Sequence, residues 1–272
     1  MPYSCKTLIT SANELAPREK RLSICLGADG FSFAETSTAG ALVSFAVYAG
    51  PHASSINQVM TDVKSVFASL GIRPFSFSAS DLIVISDENV WVPDELYTAT
   101  ANRKYMELVA GSNDRQLMSA HSTALASTAV FSTDEHLVTA FKVALPGINV
   151  MNQHLKMARL APLSADHPVV LSHWREGRVD LAAFSEGHYL YGNTLTFANA
   201  NEALYRVVDV VKCFGLESPA TELLMCGDVD RERYAQFRPY FPKVTLFNGT
   251  VSHSLNPEFK RVHAYRHALI LM

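Results

Sequence analysis

Two carboxylates that stand beside glycines are the residues of this chain best suited to chemistry. Asp29 lies in the segment Gly27-Ala-Asp-Gly30, and Asp228 follows Gly227 at the end of an apolar run. Backbone N–H groups of a glycine-rich turn can bind phosphate, and nearby carboxylates can hold the water shell of Mg²⁺. Asp-Gly is also the commonest composition of a type I′ hairpin turn, and one glycine-rich turn is a weak phosphate signal. We therefore favour a hairpin turn over a phosphate loop at residues 27–30.

Gly177 and Gly227 allow the same two interpretations, a ligand-binding turn or a structural one. Gly177 follows a Glu between two apolar runs, and Gly227 stands at the carboxyl end of a third. Ligands of α/β proteins bind at the carboxyl ends of buried strands, which places Gly227 near a crevice. An Asp at that point also caps a helix, so we favour a strand-to-helix turn in which Asp228 or Asp230 is the N-cap.

Other chemical motifs are weak or missing in the sequence. His263 and His267 have the spacing that puts two imidazoles on one helical face, but a zinc site needs a third ligand, so an ordinary polar face is favoured. The sequence has no P-loop, no Gly-x-Ser-x-Gly and no His-Glu-x-x-His. We predict no catalytic residue and no metal site.

The composition argues against two classes of partner. Charged residues make up 18% of the 272 residues, the formal net charge is −3, and no stretch gathers five or six basic side chains. Nucleic-acid binding is therefore not expected. No apolar run has the length of a membrane span, and the N-terminus lacks the pattern of a signal peptide. None of the four cysteines forms a Cys-x-x-Cys pair, and we expect a cytoplasmic protein.

The chain contains two similar units. Each is predicted as three short strands joined by tight turns, an amphipathic helix that ends at a glycine, a continuous apolar strand and a further helix. The first three strands of the first unit are predicted at 21–30, 31–36 and 41–48, and those of the second unit at 168–177, 178–184 and 188–197. The helices run from Ser54 or Ser55 to Gly71 and from Asn199 or Asn201 to Gly215. The apolar strands are 81–86 and 222–227, and the further helices are 94–109 and 231–240.

Between the two units lies a segment of different texture. It predicts strands at 117–123 and 125–131, a helix at 133–145 capped by Thr133, a strand at 148–150 and a short helix at 153–160. The stretch from Pro162 to Pro168 is the best linker candidate. We therefore predict an N-terminal lobe at 1–163, with inserted strands and helices, and a C-terminal lobe at 164–272.

The order of these elements resembles a known fold. Three antiparallel strands, a helix, a strand, a helix and a strand resemble the ribonuclease-H-like unit, and the doubled unit resembles the actin, hexokinase and chaperone-ATPase superfamily. More closely, residues 22–33, 90–96 and 223–228 are similar to a family of uncharacterised bacterial proteins with an actin-like ATPase fold. The resemblance covers residues 22–247. It implies an α/β (α+β) fold of two ribonuclease-H-like lobes, and it brings no established activity.

The superfamily resemblance implies ATP hydrolysis, which needs particular residues at the nucleotide site. Its ATPases place an Asp at the end of the first strand of each lobe, before a glycine-rich turn, and a Gly-Gly pair after a late strand. In this sequence the two Asp positions align with Cys25 and Ser172, and one glycine of the pair remains, Gly227. A thiol and a hydroxyl do not supply the anionic oxygens that Mg²⁺ prefers. The resemblance therefore implies a degenerate nucleotide site.

Two hypotheses follow from these residues. In the favoured one, the protein is a non-catalytic scaffold that binds an unknown protein partner or a small ligand, with no cofactor. In the alternative, it is an ATPase or phosphotransferase that uses Mg-ATP, with relocated carboxylates at Asp29, Glu35, Asp180 or Asp228. A bound nucleotide would contact the turn residues Gly27, Asp29, Gly30, Gly177, Gly227 and Asp228. The cleft should lie between the first hairpins of the lobes, with Cys25 and Ser172 at its floor and no Mg²⁺-binding carboxylate pair beside it.

Two further features leave alternatives open. Trp174 is predicted in the turn of the second hairpin, either exposed as a contact residue or folded back on its own hairpin. Residues 267–272 are a histidine followed by five apolar residues, and they form either a docking tail or a buried one.

Overall fold

The chain forms three β-sheets in the part that the computed structural model describes, which is residues 3–10, 16, 19–28, 30–51, 55–111, 116–160, 166–216, 220–251, 253–254 and 257–272. The strands are β1 (Ser4–Thr10), β2 (Lys20–Gly27), β3 (Gly30–Ser37), β4 (Ala41–Ala49), β5 (Ala79–Val84), β6 (Asn89–Pro93), β7 (Gln116–Ser122), β8 (Ser127–Thr133), β9 (Asn149–Asn152), β10 (Val169–Arg175), β11 (Arg178–Ser185), β12 (His188–Thr196), β13 (Glu222–Gly227), β14 (Lys243–Leu246) and β15 (His253–Ser254). The α-helices are α1 (Ile56–Leu70), α2 (Asn102–Ala110), α3 (Glu135–Ala144), α4 (Gln153–Ala158), α5 (Ala200–Cys213) and α6 (Arg231–Phe237).

The two larger sheets share one strand order. The seven-stranded sheet has the order β1-β4-β3-β2-β5-β9, with β15 beside β4, and the five-stranded sheet has the order β12-β11-β10-β13-β14. In each, the first three strands of the unit are antiparallel, and the next two run parallel to the first. A helix connects the third strand to the fourth in both. The predicted fold of two ribonuclease-H-like units is confirmed.

The matching helices form for the same physical reasons. The α1 helix buries Val59, Val63 and Val66 against the seven-stranded sheet, and it ends where Gly71 takes a left-handed conformation. The α5 helix buries Val207 and Val211 against the five-stranded sheet. Its N-cap is Asn199, whose side-chain oxygen accepts the N–H of Glu202.

Residues 94–145 depart from the sequence prediction in two places. The predicted long helix after Pro93 is replaced by two short 3₁₀ turns and α2. The hydroxyl of Tyr105 explains this break, because it accepts the N–H of Thr98 and donates to the carbonyl of Leu96. The α3 helix is capped by Asp134 rather than by Thr133, since the Asp carboxylate accepts two backbone N–H groups of the first turn. Strands β6, β8 and β7 form the separate three-stranded sheet.

The C-terminal segment is buried between the two larger sheets. A 3₁₀ segment, Ala264–Leu271, places Ala268, Leu269, Ile270 and Leu271 in the interior. The carbonyl of Leu271 accepts the N–H groups of Thr250 and Val251. The structure therefore gives the buried alternative for the tail. The predicted boundary between 163 and 164 falls in residues 161–165, which lie outside the described residues, so the division into lobes stays a prediction.

Candidate functional site

A cleft lies between the first hairpins of the two larger sheets. Its volume is about 660 Å³, and it opens where strands β2, β5 and β10 reach their carboxyl ends. Ligands of α/β proteins commonly bind in a crevice at the carboxyl ends of the strands. The described residues that line the cleft are Leu26, Gly27, Ala28, Val84, Ile85, Asp87, Thr133, Asp134, Leu137, Arg175, Glu176, Arg178 and Asp228.

The guanidinium of Arg175 contacts carboxylates on both sides of this cleft. Its Nε and Nη2 atoms donate to the two carboxylate oxygens of Asp180, each at 2.9 Å. Its Nη1 atom donates to Asp87 at 2.8 Å, and Asp87 also pairs with Arg178 at 3.0 Å. Asp87 follows β5 of the seven-stranded sheet, so the two sheets are joined by ion pairs inside the cleft.

Asp180 is fully buried and surrounded by donors. Besides Arg175, it accepts hydrogen bonds from His173 Nδ1 at 2.9 Å, Thr194 Oγ1 at 2.7 Å and Gln153 Nε2 at 3.2 Å. Burial alone would raise the pKa of this carboxyl, but the hydrogen bond from His173 and the charge of Arg175 outweigh it and hold the pKa well below its usual range. The side chain is therefore a buried carboxylate whose oxygens are occupied.

Helix α4 reaches this carboxylate from the first unit. Gln153 is fully buried, donates to the carbonyl of Ser86 at 2.6 Å and accepts the N–H of Ser86 at 3.0 Å. The next residue, His154, lies 3.0 Å from Thr194 Oγ1. Because Thr194 gives its proton to Asp180, we assign the donor proton of His154 to Nε2. Burial lowers the pKa of His154 to about 4, so the ring is neutral at pH 7.

The residues predicted to bind a nucleotide lie in different places. Gly27 and Asp228 line the cleft, while Asp29 lies outside the described residues. Gly30 packs against β4, where a Cβ would collide with the carbonyl of Tyr48. Gly177 forms the turn of the second hairpin with a φ of 62°.

Gly227 has a structural explanation. Its φ is 82°, and a Cβ there would collide with the carbonyl oxygen of Trp174 on the neighbouring strand. The next N–H, that of Asp228, donates to the same carbonyl at 2.8 Å. The helix that follows is capped by Asp230, which accepts the N–H of Arg233 at 2.7 Å. Asp228 is therefore not the N-cap.

The predicted floor of the cleft is wrong, since neither Cys25 nor Ser172 lines it. Cys25 faces the space between the sheets, where burial raises its pKa to about 12 and keeps the thiol protonated. Ser172 points the other way, toward α5 and α6, and its hydroxyl accepts the indole N–H of Trp174. Adjacent residues of a strand face opposite sides, so a shift of one residue in the alignment changes the face. The side chain that corresponds to Cys25 is His173, each standing two residues before the end of its strand.

Trp174 is neither exposed nor in the turn. It lies in β10, is 1% exposed, and packs against Phe197 and Phe237. The guanidinium of Arg233 lies 4.8 Å from the centre of its ring. The contact-surface interpretation of Trp174 is therefore wrong, and the residue belongs to the core.

Four of the described carboxylates line the cleft, Asp87, Asp134, Glu176 and Asp228, and the first two have partners within the protein. That no Mg²⁺-binding carboxylate pair flanks the cleft stays a prediction. Asp87 pairs with two arginines, and Asp134 accepts the N–H groups that begin α3. Of the other candidates, Asp180 is buried beneath Arg175, and Glu35 pairs with Lys20 outside the cleft lining. Among the residues that the structure describes, no group of three His, Cys, Asp or Glu side chains is placed to hold a metal ion.

Sequence reasoning missed Arg175, Asp87 and Gln153 as parts of this site. A usable signal was present in β10 and β11, because His173, Arg175 and Asp180 interrupt runs that are otherwise apolar. His173 and Arg175 are two residues apart, which puts them on one face of a strand. The pairing of Arg175 with Asp87, 88 positions earlier in the chain, has no local signal.

A family model identifies the chain. It matches residues 11–244 and describes a protein of unknown function, DUF3822. The chain belongs to this family. A comparison with curated proteins finds no match.

Solved structures show what fold the DUF3822 chain shares. A Bacteroides thetaiotaomicron protein with an actin-like ATPase fold and unknown function is 17% identical, with a TM-score of 0.68 over 85% of this chain and 92% of that one. The PilM–PilN type IV pilus biogenesis complex contains a chain that is 12% identical, with a TM-score of 0.59 over 94% and 97%. The ethanolamine utilization protein EutJ from Carboxydothermus hydrogenoformans is 10% identical, with a TM-score of 0.51 over 97% and 93%. The chain therefore has the actin-like ATPase fold.

The described part of the DUF3822 chain contains no helix that is long and apolar enough to cross a membrane. What its cleft offers chemically is a group of paired charges beside three further carboxylates, Asp134, Glu176 and Asp228. Two arginines and two aspartates form one connected cluster there, made of Arg175, Arg178, Asp87 and Asp180.

Proposed function

We propose that this DUF3822 protein is a non-catalytic member of the actin-like ATPase fold that binds a protein partner without using a nucleotide. The observation that carries this proposal is the position of Arg175, whose guanidinium contacts Asp180 on one side of the cleft and Asp87 on the other. The superfamily resemblance predicts that the phosphate groups of a nucleotide would lie between the hairpin turns on either side of Arg175.

The energetics of the cluster support the proposal. A phosphate chain would bind here by taking arginine donors away from Asp87 and Asp180. Separating the partners of a buried charge pair costs about 3 to 5 kcal/mol, because one charge is left uncompensated. Asp180 is fully buried, so water cannot replace Arg175 at its oxygens. The cluster therefore opposes nucleotide binding, and it also holds the two sheets in one arrangement.

The donor set in the cleft gives a second line of support. Mg²⁺ in nucleotide sites is held through carboxylates and their bound waters. Here Asp87 contacts two guanidinium groups, and Asp134 accepts backbone N–H groups of α3. At Asp87 an added Mg²⁺ would compete with two guanidinium groups, and at Asp134 with the backbone N–H groups of α3.

The test is a titration with Mg-ATP. A nucleotide at one hundred times its dissociation constant would stabilise the fold by about 2.7 kcal/mol, which melting experiments resolve. We expect no change in melting temperature and no phosphate release. Turnover of ATP by the unmodified protein, lost in Asp228→Ala, would overturn the non-catalytic assignment and favour the ATPase alternative.

The partner-binding half of the proposal has support from the fold and from the surface. PilM, a chain of the same fold, occurs in a complex with PilN. In this protein, a groove of about 500 Å³ lies between the end of α1 and the end of α3. Its described lining combines the apolar side chains of Phe67, Ile72 and Val143 with two cations, Lys64 and Arg73, and no carboxylate is among these described residues.

The side chain of Phe75 stands next to this groove in the sequence and is 79% exposed. Its φ of 61° is a left-handed conformation that costs a non-glycine residue about 1 kcal/mol or more. An exposed aromatic ring beside an apolar groove is typical of a contact surface. The charge of Lys64 and Arg73 favours a partner segment that carries apolar and acidic side chains.

A pair of matched variants tests the groove. Val143→Asp places a negative charge in it, and Val109→Asp places the same charge at an equally exposed valine of α2. With the protein immobilised and cell extract as the source, we expect one partner to bind the wild type and Val109→Asp but not Val143→Asp. The same set of proteins on all three would overturn the groove as the partner site.

A further inference from the structure

A second pocket lies at the amino ends of strands β2 and β5, whereas the cleft between the two hairpins lies at their carboxyl ends. Its volume is about 530 Å³. Residues 21–23 and 79–81 form one wall, the turn after β3 a second and α4 a third. The lining also includes Thr250 and Val251, and Leu271 and Met272 at the end of the buried C-terminal segment. We call it the basic pocket, and nothing in the proposed function depends on it.

Positive charge predominates in the basic pocket. Among the residues that the structure describes, its lining contains Arg21, Lys156 and Arg159, and Asp81 is the one carboxylate side chain. Met272 also lines it, and with a terminal carboxylate counted there the positive charges still outnumber the negative ones by three to two. Asp81 lies 3.4 Å from Arg159 Nη1 and 3.7 Å from Lys156 Nζ. One carboxylate therefore serves two of the three cations.

Lys156 is the unusual member of this group because its side chain is only 6% exposed. Burial lowers the pKa of Lys156; Asp81 opposes this shift, and the positive charges of Arg159 and Arg21 add to it. A buried ammonium among like charges is stabilised by an additional anion, since the anion restores part of the lost hydration energy.

The rest of the lining defines the kind of anion. Ser23, Thr36 and Thr38 place hydroxyl-bearing side chains in the pocket, and hydroxyls donate to anionic oxygens. Leu22 and Leu160 supply apolar surface beside them. The volume is several times that of an inorganic ion and lies in the range of small-molecule sites, which is about 300 to 1,000 Å³.

We propose that the basic pocket binds a small organic phosphate monoester. Its phosphate would accept hydrogen bonds from Arg21, Lys156 and Arg159, and its organic part would contact the apolar side of the pocket. A phosphate is a better match than a carboxylate because it offers three terminal oxygens and up to two negative charges to three cations.

Calorimetry with phenyl phosphate tests this site in the whole chain. We expect saturable binding of one phenyl phosphate per chain, weaker binding of inorganic phosphate, and none of benzyl alcohol. Arg21→Gln and Arg159→Gln should each weaken phenyl phosphate binding by about tenfold, the effect of losing a hydrogen bond to a charged group. Both arginines are at least partly exposed, so the variants are expected to fold, and melting curves check this.

Arg238→Gln is the matched control, because Arg238 is exposed at the end of α6 and outside the pocket lining. It should bind phenyl phosphate like the wild type. Absence of saturable binding, or equal affinity in the wild type, Arg21→Gln and Arg159→Gln, would overturn the site. Equal affinity for inorganic phosphate and phenyl phosphate would overturn the organic part of the assignment.

Discussion

Arg175 and Asp180 form a bidentate pair in which two guanidinium nitrogens lie 2.9 Å from the two oxygens of a fully buried carboxylate. They stand on adjacent antiparallel strands, β10 and β11. The third arm of the guanidinium reaches Asp87 from the other sheet. An ion pair inside one sheet is thus also part of the contact between two sheets, together with Gln153 of α4 and the buried C-terminal segment.

Replacing Asp180 by Asn should strongly destabilise the protein. The amide keeps the shape, but it removes the negative charge that balances Arg175 and replaces two acceptor oxygens by one. We expect the free energy of unfolding to fall by about 3 to 5 kcal/mol, measured by urea denaturation. Asp209→Asn, at an exposed position of α5, should change it by less than about 0.5 kcal/mol. A loss below about 1 kcal/mol in Asp180→Asn would contradict the central role of the pair.

Stability should rise with pH between about 4 and 6.5, and His154 should account for part of the slope. Its pKa is lowered to about 4 in the folded protein, against about 6.5 in an unfolded chain. In that window the unfolded state binds the extra proton, so raising the pH favours folding by up to about 1.4 kcal/mol per pH unit.

The variant that isolates the contribution of His154 to this pH dependence is His154→Gln, whose amide keeps a donor toward Thr194. Urea denaturation at several pH values should show the slope reduced by about one proton relative to the wild type. His188→Gln, at an exposed histidine of β12, is the control and should keep the wild-type slope. An unchanged slope in His154→Gln would show that the ring does not titrate on unfolding as inferred.

Asp180 contributes a second pH dependence at lower pH. Its folded-state pKa lies well below the unfolded value, so its contribution to stability is complete above about pH 5 and is lost as the pH falls through the folded pKa. The expected signature is an acid-unfolding transition that moves to higher pH in Thr194→Val, which removes one hydrogen bond to the carboxylate. Thr61→Val is the control, because its hydroxyl bonds to the backbone of α1, far along the chain. A transition at the same pH in both variants would contradict the assignment.

Gly227→Ala should be more destabilising than an equivalent change elsewhere. Both Gly227 and Gly215 have a positive φ, but a Cβ at Gly215 has open space around it, whereas one at Gly227 meets the carbonyl of Trp174. We expect a loss of about 1 kcal/mol for Gly215→Ala, and more than about 2 kcal/mol for Gly227→Ala. Equal losses in urea denaturation would mean that the close strand approach is not what requires glycine at 227.

The sequence predicted the fold where local patterns determine it. The α1 and α5 helices were found with their glycine ends, because apolar spacing and a C-terminal glycine are local signals. Strands β1, β6 and β14 were not placed: β1 is largely exposed, and β6 and β14 are only five and four residues long, so none of them has a clear apolar pattern. The break before α2 depends on one tyrosine hydroxyl, which no periodicity reveals.

The site was predicted less well, because long-range geometry determines it. The cleft was expected between the hairpins and lies there, but the alignment of Ser172 missed the facing side chain by one residue. Arg175 and Asp87 are 88 residues apart, and their pairing follows only from how the two sheets meet. The polar residues that interrupt the apolar strands, such as Arg175 and Asp180, were visible in the sequence, but their partners in other parts of the chain were not.

Removing Asp87 should turn the cleft into an anion site. In the wild type, Asp87 accepts from Nη1 of Arg175 and pairs with Nε of Arg178, so its negative charge offsets both guanidinium groups and repels polyphosphate. Asp87→Ala leaves both arginines at the mouth of the cleft with the Asp180 pair intact, and it should bind tripolyphosphate measurably in calorimetry while the wild type gives no saturable heat. Asp87 is 36% exposed, so the variant is expected to fold. Glu107→Ala, an exposed carboxylate of α2, lowers the negative charge equally and should behave like the wild type. Binding by the wild type, or by Glu107→Ala as strongly as by Asp87→Ala, would show that Asp87 does not keep the cleft closed to phosphate.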